Sequence, residues 1–399
     1  MRMIACGRMR LAARVGRIRE SATLRVSRRA LELKAQGVDV VDFGAGEPDF
    51  ASPAVAVEAA RRGLAEGFTK YTATAGIPAL RKAIAERYRQ RYGAPWSSDQ
   101  TLVTVGGKAA LFELALALFE RGQEVVIHTP CWVSFPEQVR FAGAEVVEVP
   151  TSGETGFAVD PAAILAALGE RTRAVILNSP CNPTGGVIPA ADLREIVAGC
   201  AERGVLVISD ETYERFLYDG RTPASCAALA AEFPDTVVLV GSFSKTYAMT
   251  GWRLGYLLGP RALVQAAQDI QGHATSNATS FAMLGALAAL ESAEADVAAM
   301  IAEYEARRNL LIGRLNRLPG VACRPPAGAF YAFPDVAARF GPRIPDSDAF
   351  AERLLEEARV ALVAGSAFGS DRHVRISFAC SRAMLEEGAA RLGSFLQSL

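Results

Sequence analysis

The stretch TVVLVGSFSKTYAMTGWRLGYLLG, residues 236–259, is the most informative part of the sequence. It opens with an apolar run typical of a buried strand, and small hydroxyl residues, Lys245 and then Arg253 follow. Lysine is rare in this chain, because only five of its 43 basic residues are lysines and the rest are arginines. A lysine kept in such a background indicates chemistry that a guanidinium group cannot perform.

Seven short apolar runs separated by helical stretches predict an α/β fold with a mainly parallel sheet covered on both faces. The runs are TLVTV, EVVIHTP, AEVVEVP, AVILNSP, VLVISDE, TVVLVGS and GYLLGP, all between residues 101 and 260. In such sheets ligands bind beyond the carboxyl ends of the strands. We therefore expect four segments that follow these runs to meet in one crevice: 106–108, 178–185, 210–213 and 242–245.

The character of the chain changes after about residue 285. Long helical stretches rich in Ala, Glu and Arg, at 285–317, 347–358 and 382–397, alternate there with short strand-like runs. This pattern predicts a smaller α+β domain, joined by the N-terminal segment. We expect an arm and part of the small domain at 1–50, a large domain at 51–284, and the rest of the small domain at 285–399.

Composition excludes several classes of protein. Acidic and basic side chains balance at 43 each, which gives no indication of binding to nucleic acid or to an anionic membrane. No apolar run approaches the roughly 20 residues that a membrane span needs. The three histidines lie far apart and outside any HExxH pattern, so no metal site is expected. Seven cysteines without CxxC spacing indicate a reducing, cytoplasmic environment.

The N-terminus allows two interpretations. Residues 1–19 are rich in arginine, and the first acidic residue is Glu20, a composition that resembles a transit peptide. The favoured alternative is a short basic lead-in that reflects the arginine bias or an early start codon. Because this segment has no long apolar region, secretion is not expected.

Lys245 is a candidate for Schiff-base chemistry, since an amine that forms an imine cannot be replaced by arginine. A P-loop is excluded by spacing, because Ser244 rather than glycine precedes the lysine. Ser242, Ser244 and Arg253 are suited to binding a phosphate. The turn at Gly106 and Gly107, which ends a strand and opens a helix, can add backbone N–H groups or serve only tight packing.

Other residues near strand ends each have a structural and a functional interpretation. Asp210 is either a cap or a counter-ion for a protonated ring nitrogen, and Tyr213 follows one short turn later. Asn182 is either a turn residue or a hydrogen-bonding partner of a ligand hydroxyl. Trp132 is either core or a stacking platform. Arg375, within an apolar strand, either faces water at an edge or binds a substrate carboxylate.

Taken as a set, these motifs resemble the class I, fold-type I pyridoxal-phosphate aminotransferases. The N-P-T-G loop, S-D-E-x-Y, and S-x-S-K-x-[YF]-x-M-x-G-W-R-x-G-Y occur in the family's order, and the resemblance runs from about residue 21 to the C-terminus. It implies a large cofactor-binding domain with a seven-stranded sheet, and a homodimer with shared sites. It also implies catalytic roles for Lys245, Asp210 and Tyr213. The cofactor-binding residues that it implies are Gly107, Lys108, Trp132, Asn182, Asp210, Tyr213, Ser242, Ser244, Lys245, Arg253 and, for the neighbouring subunit, Tyr71.

The sequence is most similar to the bacterial aspartate aminotransferases of subgroup Iβ, through RESATLRVSRRALELKAQGVDVV and VTVGGKAALFELALAL. This implies transfer of the amino group of L-aspartate or L-glutamate to a 2-oxo acid. The implied substrate-binding residues are Gly46, Trp132, Asn182 and Arg375, with Ser21, Thr23 and Lys108 at the distal carboxylate. Cys181 and Ala109 depart from residues frequent in the group, and Ala109 bears on substrate choice.

Alternatives remain at this stage. A prephenate or aromatic aminotransferase, or a carbon–sulfur lyase, would keep the cofactor and change the reaction. A regulator with this fold would carry a DNA-binding domain before it, for which about 20 residues are too few. A nucleotide-binding protein would need a P-loop or a G-x-G-x-x-G motif after a strand, and neither is present.

Overall fold

A computed structural model describes residues 11–18, 20 and 22–399 of the chain. The described residues form helices α1 Ala22–Ala35, α2 Ala54–Ala65, α3 Pro78–Tyr92, α4 Gly107–Leu118, α5 Ser134–Ala142, α6 Pro161–Ala166, α7 Ala190–Ala201, α8 Phe243–Thr246, α9 Arg261–Ala274, α10 Ser280–Ser292, α11 Glu294–Leu315, α12 Ser347–Ala358 and α13 Arg382–Gln397. The strands are β1 Val41–Asp42, β2 Thr101–Thr104, β3 Glu124–Thr129, β4 Glu145–Pro150, β5 Thr172–Asn178, β6 Leu206–Asp210, β7 Val237–Ser242, β8 Gly255–Leu258, β9 Tyr331–Ala332, β10 Val360–Ala361, β11 Val363–Ala364 and β12 Val374–Ser377.

The large sheet has seven strands in the order β2-β8-β7-β6-β5-β3-β4. Strand β8 runs antiparallel to both of its neighbours, and the other pairs are parallel. The prediction of a mainly parallel seven-stranded sheet is therefore confirmed. Because β8 alone is reversed, the carboxyl ends of the other six strands lie at one edge.

Apolar side chains cover both faces of this sheet. Strand β7 directs Val237 and Leu239 into a cluster with α3, α7 and α10, and Val238 and Val240 into a second cluster with α4, α5 and α9. This alternation explains the continuous apolar run, since both faces of the strand need apolar residues. Full burial of each such side chain contributes about 1.5–3 kcal/mol.

Two small sheets lie outside the large one. Strands β11, β12 and β9 form an antiparallel sheet, and β1 pairs with β10 in parallel. A third apolar cluster joins Val41 and Phe43 to residues of α11, α12 and α13. Residues 41–43 therefore lie beside helices from the C-terminal part of the chain, and Gly44, which follows them, accepts a hydrogen bond from Arg375.

The helix expected at 285–317 is two helices, α10 and α11, separated at Ala293. The domain limit expected at residue 284 falls inside α10, and this helix packs against α2 and α3 rather than against the small sheets. We therefore propose a limit near Ala293 between the large and small domains. In the described part of the chain, no helix combines the length and the apolar character that a membrane span requires.

Candidate active site

A cleft of about 520 Å³ opens at the carboxyl ends of β2, β5, β6 and β7. The structure brings the four expected segments together around it, because these strands end at the same edge of the sheet. The sequence-predicted residues that line it are Thr23, Gly46, Gly107, Lys108, Trp132, Asn182, Asp210, Tyr213, Ser242, Ser244, Lys245, Arg253 and Arg375.

Lys245 lies on the short helix α8, directly after β7, and its amine Nζ donates a hydrogen bond to the carbonyl oxygen of Gly46. Burial lowers the pKa of Lys245 to about 8, although Glu47 acts in the opposite direction. The positive charges of Arg375, Arg253 and Lys108 lower this pKa further. About a tenth of the amine is therefore neutral at pH 7, far more than for an exposed lysine. The cleft thus provides a nucleophilic amine.

The carboxylate of Asp210 ends β6 and faces the cleft. It accepts a hydrogen bond from the backbone N–H of Thr212 at 3.0 Å. Burial raises the pKa of Asp210 to about 6, and the Thr212 bond and Lys245 oppose that rise. A cationic partner in the cleft would favour the ionised form of this carboxylate.

Asn178 joins the loops that carry Asp210 and Asn182. It is the register partner of Asp210 across β5 and β6, and its amide Nδ2 donates to the Asp210 carbonyl oxygen at 3.0 Å. Its Oδ1 accepts from the Asn182 backbone N–H at 2.9 Å. The buried His128 ring accepts from the Asn178 backbone N–H at 3.2 Å, and burial lowers the pKa of His128 to about 4. The histidine is therefore a neutral acceptor.

One end of the cleft has the groups of an anion site. Gly106 has a φ of 83°, and a Cβ there would lie 2.6 Å from a terminal nitrogen of Arg253, so this guanidinium lies against the start of α4. The N–H groups of Ala109 and Ala110 donate to the Gly106 carbonyl oxygen, whereas those of Gly107 and Lys108, at the very start of α4, have no preceding helical turn to accept from them. Ser242 and Ser244 are buried at the end of β7. Hydroxyls, a guanidinium and free N–H groups are what a phosphate requires.

Arg375 is 2 % exposed and lies between two aromatic rings, with its guanidinium carbon 4.5 Å from the Tyr331 centroid and 5.1 Å from that of Phe368. Nη1 donates to Asn182 Oδ1 at 3.0 Å, and Nη2 donates to the Gly44 carbonyl oxygen at 2.8 Å. Nε is buried without a hydrogen-bond partner among the described residues. A buried cation with an unused donor is suited to a carboxylate ligand.

Trp132 and Lys108 lie together at the cleft, with the Lys108 amine 4.8 Å from the Trp132 ring centroid. The Trp132 ring packs edge-to-face on Phe135, at 5.4 Å and 84°. Burial and the charge of Arg253 lower the pKa of Lys108. Lys108 is therefore an exposed cation of the cleft that lies against an aromatic face.

Two of the predicted site residues, Ser21 and Tyr71, are not among the described residues that line this cleft. Ser21 lies outside the described residues, so its predicted role is not addressed by the structure. Tyr71 is 87 % exposed and does not line the cleft.

Sequence reasoning missed the lining residues Tyr331 and Glu47, and it gave no individual role to Asn178 and Thr212, which lie in the expected segments. Asn178 carried a signal, because it is a polar residue at the end of an apolar strand, as Asp210 is. Tyr331 had no such signal, since its position depends on pairing between β9 and β12.

The chemistry of the donor set fits pyridoxal phosphate. The cleft contains a lysine for the aldehyde, a carboxylate for the ring nitrogen, Tyr213 and Asn182 as donors for a ring oxygen, and an anion site for the phosphate. The glycine at position 107 is part of this fit. A Cβ there would lie 3.6 Å from both Ser242 Cβ and Thr212 Oγ1, within the phosphate end.

Comparisons with known proteins identify the family of the chain. The family described as "Aminotransferase class I and II" matches residues 38–392. The aspartate aminotransferase of Geobacillus stearothermophilus is 42 % identical over 393 residues, which cover 98 % of this chain and 100 % of that protein. The aspartate/prephenate aminotransferase of Thermus thermophilus is 43 % identical over 391 residues, which cover 97 % and 98 %.

Solved structures give the same result. The aspartate aminotransferase from Thermus thermophilus with maleate has a TM-score of 0.92 and 42 % identity, covering 97 % of this chain and 100 % of that one. The aspartate aminotransferase from Rhizobium meliloti has a TM-score of 0.93 and 36 % identity, covering 98 % and 99 %. The chain belongs to the aminotransferase class I and II family and is a pyridoxal-phosphate-dependent aminotransferase.

Proposed function

We propose that this enzyme transfers the amino group of L-aspartate or L-glutamate to a 2-oxo acid in two half-reactions. The observation that carries the proposal is the presence of two cations, Arg375 and Lys108, in the cleft that holds Lys245. Both lie near enough to lower the pKa of Lys245. A dicarboxylic amino acid has two carboxylates for these cations, whereas a neutral amino acid has one.

The cofactor would be held by the residues at the strand ends. Asp210 would pair with the ring nitrogen, Tyr213 and Asn182 would donate to the ring oxygen, and Trp132 would stack on the ring. The phosphate would be surrounded by Gly107, Lys108, Ser242, Ser244 and Arg253. When bound, pyridoxal phosphate supplies a ring that accepts electrons from the substrate α-carbon.

The protein's own residues then control the protons. The neutral Lys245 amine would accept the proton from the substrate α-carbon and would release it, within the same half-reaction, to the carbon that carried the aldehyde, and the second half-reaction would reverse this transfer. In the structure the carbonyl oxygen of Gly46 accepts a hydrogen bond from this amine and holds it in the cleft. Asp210, buried and anionic beside a cation, keeps a proton on the ring nitrogen.

Substrate would be oriented from the other side of the cleft. Arg375 would bind the α-carboxylate, with Asn182 and the backbone of Gly46 beside it. The distal carboxylate would lie toward Lys108, Thr23 and Ser21. Two fixed carboxylates orient the α-carbon for proton transfer, which is the positioning that catalysis needs.

Prephenate is a second candidate amino-group acceptor. It is supported by the names of the Thermus thermophilus relative and of a relative from Aquifex aeolicus, a probable aspartate/prephenate aminotransferase that is 41 % identical over 391 residues. Prephenate also carries two carboxylates, so the same pair of cations would serve it.

The test is steady-state transfer from L-aspartate and from L-phenylalanine to 2-oxoglutarate, in the unmodified enzyme and in two variants. Lys108→Ala should lower kcat/KM for aspartate about 5- to 30-fold, because it removes one ion pair that is partly screened by solvent. The kcat/KM for phenylalanine should not change. Lys82→Ala, an exposed lysine on α3, is the matched control and should change neither. Equal losses with both amino acids in Lys108→Ala would contradict the proposed distal contact.

We also propose a cytoplasmic homodimer with shared active sites. The exposed Tyr71 supports it, because the family resemblance gives this residue a role at the neighbouring subunit's phosphate. The buried free thiols of the described chain, such as Cys131 and Cys226, support a reducing compartment.

Light scattering of the purified holoenzyme tests the dimer. A dimer mass is expected, and Tyr71→Phe should weaken cofactor binding without changing that mass.

A further inference from the structure

Tyr331 lies between the two functional ends of the cleft. It is on β9, which pairs with the Arg375 strand β12, and it is 1 % exposed although it lines the cleft. Its hydroxyl lies 2.7 Å from the hydroxyl of Tyr213, and its ring lies 4.5 Å from the guanidinium carbon of Arg375. One side chain therefore contacts a residue proposed for the cofactor and the residue proposed for the substrate.

The hydrogen bond between the two tyrosines has two possible directions. Each hydroxyl carries one proton, so only one of the pair can donate in the shared bond. If Tyr213 uses its proton for the ring oxygen of the cofactor, its own oxygen must accept from Tyr331. In the described chain the shared bond is the only hydrogen bond of the Tyr331 hydroxyl, and this hydroxyl is free to take the donor role.

The surroundings keep the pair in place. A Cβ on Gly46 would lie 3.2 Å from the Tyr331 oxygen, so the glycine backbone closes one side of this hydroxyl. Phe330 packs edge-to-face on Tyr213 at 5.3 Å. The charged groups that act on the pair are Arg375 and Asp210, and burial raises the pKa of both tyrosines so that both stay protonated.

We propose that Tyr331 is a positioning residue with two separable functions, an inference that rests on the proposed function above. Its hydroxyl donates to Tyr213 and thereby commits the Tyr213 proton to the ring oxygen of the cofactor. Its ring, together with that of Phe368, holds the Arg375 guanidinium in the orientation that receives the substrate α-carboxylate.

Three variants separate these functions. Tyr331→Phe removes the hydroxyl and keeps the ring, Tyr331→Leu removes both, and Phe368→Leu removes only the opposite ring. Two readouts apply to the enzyme loaded with pyridoxal phosphate. The first is the pH midpoint of the cofactor absorption change, and the second is the dissociation constant of maleate, a dicarboxylate without an amino group.

Tyr331→Phe should raise the pH midpoint by about half a unit, because a lost donor weakens the next hydrogen bond in a chain. Weaker donation leaves more negative charge on the ring oxygen, and the neighbouring proton is then held more tightly. Maleate binding should stay within about twofold. Phe368→Leu should weaken maleate binding about fivefold without moving the midpoint, and Tyr331→Leu should do both, with maleate weakened about tenfold.

A Tyr331→Phe midpoint equal to that of the unmodified enzyme would overturn the role of the hydroxyl. Unchanged maleate binding in both Tyr331→Leu and Phe368→Leu would overturn the role of the rings. A failure of the proposed function would look different. In that case the unmodified protein would develop no cofactor absorption or would not bind maleate, before any variant is compared.

Discussion

The two walls of the cleft are built in different ways. One, the strand-end wall, consists of 106–108, 178–182, 210–213 and 242–245, which follow parallel strands of one sheet. The other, the crossing wall, consists of 42–47, Tyr331 and Arg375, with Phe368 packed against Arg375, and contacts between distant parts of the chain hold it together. Arg375 donates a hydrogen bond to the Gly44 carbonyl oxygen, 331 positions away in the sequence. It donates another to Asn182 Oδ1, 193 positions away.

This difference separates the chemistry from the choice of substrate. The strand-end wall carries the amine, the carboxylate and the anion site, held by backbone that the sheet fixes. The crossing wall carries the cation for the substrate α-carboxylate, held by side-chain contacts. Substitutions in the strand-end wall, apart from Lys108 with its proposed substrate contact, should therefore impair cofactor chemistry. Substitutions in the crossing wall should alter substrate binding with the cofactor still bound.

The largest effect is expected for Lys245→Ala, at the centre of the strand-end wall. Removal of the amine eliminates both the covalent attachment and the proton transfer, so the transamination rate should fall at least about 10⁴-fold. The measurement is steady-state transamination together with the absorption spectrum after addition of pyridoxal phosphate. Lys70→Ala, an exposed lysine outside the cleft, serves as control, and retention of activity in Lys245→Ala would refute the assignment.

Arg375→Leu tests the crossing wall. The loss of two charge-assisted bonds to a carboxylate, each worth about 1.5–3 kcal/mol, should lower kcat/KM about a thousandfold. The dissociation constant of pyridoxal phosphate should change little, because the cofactor contacts lie on the other wall. If cofactor affinity falls as steeply as kcat/KM, the two walls are not functionally separate.

Asp210→Asn should lower kcat about a hundredfold, since it removes a fixed charge aimed at the ring nitrogen. The amide keeps the shape of the carboxylate and can still accept from Thr212, so folding should be retained. A comparison of kcat with the KM for aspartate distinguishes this effect from loss of substrate binding. An unchanged kcat would contradict the role of Asp210.

The smallest effects concern the pH dependence of cofactor attachment. Attack requires neutral Lys245, whose pKa is about 8, so the rate of attachment of pyridoxal phosphate to the cofactor-free protein should rise with pH and reach half its maximum near pH 8. Glu47→Gln removes a negative charge that raises this pKa and should move the midpoint to lower pH. Lys108→Ala removes a positive charge and should move it to higher pH. Stopped-flow absorbance measures both, and shifts of the same sign would contradict the electrostatic account.

The same contrast explains what the sequence could predict. The strand-end wall follows from local patterns, since an apolar run predicts the strand and the next residues must lie at its carboxyl end. Lys245, Asp210 and Asn182 were predicted in this way, and the seven strands were predicted as well.

The crossing wall depends on pairings that no local pattern encodes. Arg375 was recognised as a cation in an apolar strand, but its position between Tyr331 and Phe368 depends on β9 and β12 lying side by side. Tyr331 was missed because an aromatic residue in a short strand has the same pattern as ordinary core. We propose a domain limit near Ala293 instead of residue 284, because the stretch 285–317, which resembles one helix in the sequence, forms two helices, and α10 packs against α2 and α3.

The most direct test is the absorption spectrum of the purified protein with pyridoxal phosphate, recorded before and after addition of L-aspartate without any 2-oxo acid. The account predicts a yellow band that converts to the shorter-wavelength pyridoxamine form, which reports cofactor attachment and the first half-reaction together. A yellow band that does not respond to aspartate would contradict the proposed substrate. A protein that stays colourless would contradict the assignment of Lys245 and the central claim.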